Sequence, residues 1–196
     1  MKKILVSFTL IAALSCFTSC FATNKNPVDV ADIVARDLAI SGYGALGHVG
    51  LWTGDKVIEV LDASPAVVQN TLDNFKGRTK YWGAAYFTGW DQLPAVAMPS
   101  QLYAPFTYTA FSAKMAVIKR ALQIQTIGAS YTLSPKITAS TVQVCSNNGN
   151  CTGPTRGKYR CDTFIKDAYL TAGIVGVDFD GMQTPADLWN SFSKRD

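Results

Sequence analysis

The chain is short of several things, and each shortage narrows what it can do. It holds a single histidine, His48, in 196 residues. Only one imidazole is therefore available to move a proton near neutral pH, and any Cys–His or Ser–His chemistry must use it. Charge of one sign is not in excess. The formal net charge of +4 falls to +2 once Lys2 and Lys3 of the N-terminal leader are set aside. No Lys/Arg-rich run is interleaved with aromatics, so nucleic acid is not expected as a partner. After residue 22 no apolar run is long enough to cross a bilayer. No Cys-x-x-Cys is present, which argues against a zinc site built from His48 and the cysteines. Nothing in the chain calls for a cofactor.

What remains is the composition of a globular protein: 48% hydrophobic and 16% charged residues. Residues 1–22 read as a signal peptide, with Lys2-Lys3 as the charged start and Ile4 to Leu14 as a short apolar stretch. Two processing routes fit. Cleavage near Cys20-Phe21-Ala22 is favoured; the alternative is an imperfect lipobox ending at Cys16 or Cys20, which would give a lipid-anchored protein. Either route exports the chain, to the periplasm or beyond, and residues 23–196 read as one domain.

Export makes the remaining cysteines informative, because nearby thiols pair under oxidising conditions. Cys145 and Cys151 close a short loop around the turn-former Asn148-Gly149 and are the expected disulfide. Cys161 is then left free.

Asn26-Pro27 followed by Val30, Ile33, Val34 and Leu38 predicts a first helix ending at Gly42. Val49–Trp52 and Val57–Leu61 predict two strands of a hairpin. The span 66–75 fits a short helix or an irregular crossover. Tyr81–Thr88 reads as a third strand and Gly89–Pro105 as a loop. Helices are expected over Ser112–Gln125, Asp162–Thr171 and Pro185–Phe192, with a polar, Ser/Thr/Asn-rich segment at about 132–160.

With Gly54-Asp55 as a two-residue turn, Trp52 faces Val57 and Gly50 faces Glu59. His48, Gly50, Trp52, Val57 and Glu59 then share one side of the sheet, because the side-chain period is two. His48 and Glu59 become diagonal neighbours, and Gly50 leaves the space between them open. A carboxylate holding one imidazole nitrogen while the other meets a nucleophile is the base-and-orienter arrangement of a catalytic triad. Cys161 lies one turn before Phe164 and Ile165, on the apolar side of its helix. A helix start favours a thiolate through its N–H groups and dipole, so Cys161 is the candidate nucleophile.

Gly47-His48-Val49-Gly50-Leu51-Trp52 with Val57-Ile58-Glu59 resembles the His-bearing hairpin of NlpC-type papain-like cysteine hydrolases. Cys161-Asp162-Thr163-Phe164-Ile165-Lys166-Asp167-Ala168-Tyr169 resembles their nucleophile helix, and Gly128 with Tyr131 resembles the segment before it. The histidine precedes the cysteine here. That order is similar to the circularly permuted branch, which includes YiiX- and YaeF-like bacterial proteins and lecithin:retinol acyltransferase-like proteins. The likeness spans about residues 43–175. It implies an α+β, papain-like fold in permuted order, a small antiparallel sheet packed against the nucleophile helix. It also implies Cys161 as nucleophile, His48 as base, Glu59 as third polar residue, and Tyr131 bordering the substrate; Trp52 is a further substrate-binding candidate. The implied activity is amide cleavage through a thioester acyl-enzyme, in peptidoglycan stem peptides or another envelope peptide. Two alternatives stand beside it: esterase, thioesterase or acyltransferase chemistry on lipid acyl groups, and a non-catalytic envelope binding domain. Asp162 stands where the family has Ser, and the 132–160 segment with its cysteine pair reads as an insertion.

Overall fold

The computed structural model describes residues 22–92, 110–146, 148–174, 177, 179 and 183–196. The expected leader up to residue 21, with its lipobox cysteines, and the loop beyond Gln92 lie outside the described residues.

The architecture is α+β. Six antiparallel strands form the main sheet: β1 (Ile33–Arg36), β2 (His48–Trp52), β3 (Val57–Val60), β4 (Val67–Asn70), β5 (Tyr81–Tyr86) and β10 (Ser193–Lys194), in the spatial order β10-β5-β1-β2-β3-β4. Helix α1 (Leu72–Gly77) follows β4, and α2 (Ala110–Ile127), α3 (Cys161–Thr171) and α4 (Pro185–Ser191) come from the second half. Short ladders join β6 (Ser130–Tyr131) to β9 (Lys158–Tyr159) and β7 (Val144–Cys145) to β8 (Cys151–Thr152). The Cys145–Cys151 disulfide closes the β7–β8 hairpin, a bond consistent with an oxidising compartment. Among the described residues no helix is long and apolar enough to cross a membrane.

The sheet is buried on both faces, and this decides where the site lies. One face carries Ile33, Ala35, Val49, Leu51, Ile58 and Val60, packed in the larger core with α2, α3 and α4 through Val117, Phe164, Ile165 and Trp189. The other face carries Val34, Val57 and Ala84 in a smaller cluster closed by Phe75 of α1 and Tyr81.

The helix expected over residues 26–42 is replaced by β1, the strand between β5 and β2. Asp32 accepts from the backbone N–H groups of Val28 and Asp29, and Ala31 takes φ 67°, so the chain turns sharply into the sheet there. All four residues of β1 are buried. A strand covered on both faces lacks the alternation that marks a half-exposed one. The span 66–75 resolves into β4 and the start of α1, with Thr71 capping the helix. The other expected strands and helices form, with ends moved by one or a few residues.

Candidate functional site

The hairpin register is the one the turn predicts: Gly50 opposite Glu59 and Trp52 opposite Val57. His48 and Glu59 therefore share the face of the smaller cluster, and Nε2 of His48 lies 2.7 Å from Oε2 of Glu59. Gly47, at φ 77°, delivers the chain into β2; a Cβ there would meet the Trp82 ring at 2.4 Å. Gly50 has a related role. The atoms nearest to its missing Cβ are those of Val57 and Phe75 rather than those of the His48 and Glu59 side chains.

Glu59 is wholly buried and has four partners. Besides His48, its Oε1 accepts from Asn70 Nδ2 at 2.6 Å and lies 3.5 Å from Arg78, and its Oε2 lies 3.5 Å from Arg36. Burial pushes the carboxyl pKa up, but the His48 hydrogen bond and the charges of His48, Arg36 and Arg78 together hold it below the usual range. Glu59 is thus an acceptor only, so Nε2 of His48 carries the hydrogen and Nδ1 keeps its lone pair. His48 itself is pushed down, first by burial and then by the positive charges of Arg36 and Arg78, against the pull of Glu59. Its resting form is a neutral imidazole. Its ring also lies 5.9 Å from that of Phe75.

Cys161 is a free thiol at the first position of α3, 4% exposed, and packs in the larger core. The backbone N–H groups of Val49 and Asp162 point at its sulfur. Val49 follows His48 directly, so the thiol lies by the backbone at the histidine end of β2, but Val49 and Cys161 belong to the larger core while the His48 side chain belongs to the face of the smaller cluster. Among the described residues, the thiol and the His48 ring share no hydrogen bond. The helix start does not yield a resting thiolate. Burial, with the Asp162 charge, raises the thiol to about 12 and outweighs the two N–H groups and Arg160. Asp162 is drawn aside by a two-point pair with Arg160, at 2.6 and 2.7 Å.

Tyr131 is partly buried against the larger core, and its phenol pKa is raised first by burial and next by coupling to Cys161, whose ionised form would oppose a phenolate. It lies within electrostatic reach of the thiol. Trp52 sits four residues along β2 from His48, about 13 Å at strand rise, and, like Leu72, packs against the smaller cluster.

Arg36, Asn70 and Arg78 complete the surroundings of Glu59, and sequence reasoning missed all three. Arg36 stands opposite His48 in the β1–β2 register, a signal that becomes visible only when residues 33–36 are read as a strand. Among the described residues, no group of three or more His, Cys, Asp or Glu side chains is placed to hold a metal ion.

An apolar groove of about 800 Å³ runs elsewhere, along the outer face of α2, lined by Phe111, Met115, Leu122 and Val142 among others. The chain matches no family model, and no curated protein and no solved structure matches it.

Proposed function

We propose that this protein is an exported cysteine hydrolase with a permuted papain-like arrangement, acting on amide bonds of envelope peptides such as peptidoglycan stem peptides. The observation that supports it is the buried 2.7 Å pair of His48 and Glu59 on the strand end that the Cys161 thiol meets. In this reading the neutral His48 is a general base through Nδ1. The thiol proton moves to Nδ1 as the sulfur attacks the substrate carbonyl and a carbon–sulfur bond forms. The carbon–nitrogen bond then breaks, and the imidazolium gives its proton to the leaving amine. Water, deprotonated by His48, releases the acid and restores the thiol. Glu59 remains a carboxylate throughout and steadies the ring. Because the resting thiol is neutral, its proton leaves during attack rather than before it.

The apolar packing around Cys161 favours a second substrate class, acyl esters or thioesters of lipids, through the same steps with an alkoxide or thiolate as leaving group. The burial of Cys161 favours a third reading, a non-catalytic binding domain.

The three are separated by incubating the mature protein with stem peptides and, in parallel, with short- and long-chain acyl thioesters. Products and the intact protein mass are then followed. Amide cleavage that disappears in Cys161→Ala and His48→Ala supports the first reading. An acyl adduct on Cys161 from thioesters alone supports the second. No turnover and no adduct with either class overturns catalysis and leaves the binding domain.

A further inference from the structure

We propose that Arg36 is a positioning residue of the His48–Glu59 pair: by sharing the carboxylate oxygen that His48 donates to, it keeps the imidazole a neutral, unprotonated base. The inference rests on the reading of His48 as the base, and it adds a fourth member that the sequence motif does not contain.

The geometry carries it. Arg36 ends β1 directly opposite His48 on β2, and both lie on the sheet face that also holds Glu59. Its Nη2 lies 3.5 Å from Glu59 Oε2, the same oxygen that meets His48 Nε2 at 2.7 Å. Nη1 donates to the Asp37 carbonyl and to Thr79 Oγ1, and the guanidinium lies 5.0 Å from the centre of the Phe75 ring. The side chain is therefore held from three directions. It is also 3% exposed, and its Nε has no hydrogen-bond partner among the described residues. A guanidinium retained only to tie the framework together would be expected to have its buried donors satisfied. Here one donor is left over while the charge is spent beside the carboxylate.

The charged groups facing His48 come from three elements: Arg36 from β1, Glu59 from β3 and Arg78 from the end of α1. The Cys161 thiol of α3 lies by the backbone of the residue after His48, in the larger core. With Glu59 alone, a buried imidazole would be drawn toward the imidazolium form. A cation on the same oxygen offsets part of that pull and adds to the effect of burial, which lowers the imidazole most. It also holds the carboxylate in place, so the hydrogen stays on Nε2 and Nδ1 keeps its lone pair.

The lone histidine makes this directly measurable, because the imidazole signals in a nuclear magnetic resonance spectrum need no assignment. The mature protein is titrated as wild type, Arg36→Gln, Arg36→Lys and Arg78→Gln, following the ring carbon and nitrogen shifts. In the wild type at neutral pH the ring is expected neutral with the hydrogen on Nε2. Arg36→Gln is expected to move the midpoint upward by about one pH unit, Arg36→Lys to restore it, and Arg78→Gln to move it less. A folded Arg36→Gln with an unmoved midpoint overturns the proposal, as does a larger shift in Arg78→Gln. If Arg36→Gln does not fold, the wild type still decides: a doubly protonated ring at neutral pH overturns it. None of these readings requires turnover. A neutral, Arg36-dependent imidazole in a protein that cleaves nothing therefore sinks the hydrolase reading and, with it, the role of base, while the coupling of Arg36 to the imidazole stands.

Discussion

Arg120 on α2 and Asp167 on α3 are joined at two points, Nε to Oδ1 and Nη2 to Oδ2, each at 3.0 Å and almost out of contact with water. The pair is not isolated. Tyr159 donates its hydroxyl to the same carboxylate and accepts from the Ser140 N–H, while Arg120 also donates to the Ser140 carbonyl at 2.7 Å. One network thus fastens the 132–160 segment to the two helices behind the sheet.

Breaking that pair from one side leaves a buried charge without its partner. Asp167→Leu or Arg120→Met alone is expected to lower stability by about 3–5 kcal/mol. The double variant should lose less than the sum of the two, because neither charge is then stranded. Urea unfolding of the four proteins measures this. Strictly additive losses would show that the pair contributes nothing as a pair.

The Cys161 thiol should be hard to modify in the folded protein. With Cys145 and Cys151 joined, it is the free thiol among the described residues, and burial places its pKa at about 12. Reaction with an alkylating reagent is expected to be slow at neutral pH and to rise steeply toward alkaline pH. In urea one equivalent should react at once. Rapid labelling of the native protein in mildly acidic buffer would contradict this.

Stability should fall on both sides of neutrality. His48 is depressed in the folded state from an ordinary 6.5, so its contribution is complete above that value and is lost as pH falls toward the folded pKa. Glu59, also depressed, loses its contribution further down, below its ordinary 4.5. Cys161 is raised from 9.0 to about 12, so the unfolded chain ionises first and stability declines as pH climbs through that window. Thermal midpoints across this range, with His48→Gln flattening the first acid decline and Cys161→Ala the alkaline one, are the check.

Gly47→Ala is expected to destabilise the protein by about 1–3 kcal/mol, since it adds a Cβ at positive φ and against an indole. The ring in question, Trp82, is held by a 2.6 Å hydrogen bond to Asp37 and cannot simply swing away. Denaturant midpoints test the loss. A neutral effect would mean that the Trp82 ring does not cover this turn.

The parts legible in sequence were those with a local signature. Gly54-Asp55 fixed the register of β2 and β3, and that register alone put His48 and Glu59 on one face. The spacing of Cys145 and Cys151 marked their bond. Residues 33–36 were not legible, because a strand buried on both faces looks like any apolar run, and Arg36 was lost with it. Asn70 and Arg78 were lost for another reason: β4 and the turn after α1 reach Glu59 only through the folded sheet. The Cys161 helix was placed correctly, but its depth, and so the state of its thiol, depends on packing that no motif encodes.

The order in which the chain is made has a consequence for how it can fold. β1 to β5 come from residues 33–86, yet the helices that cover their larger apolar face come from residues 110–191. The Tyr169 hydroxyl closes on the Ala31 carbonyl across 138 residues, and Arg195 closes on Asp32 across 163. A half-made chain therefore presents a greasy, uncovered sheet with nothing of its own to shield it. Such long-range closure is slow, and it leaves that apolar surface open to aggregation until the second half of the chain is made.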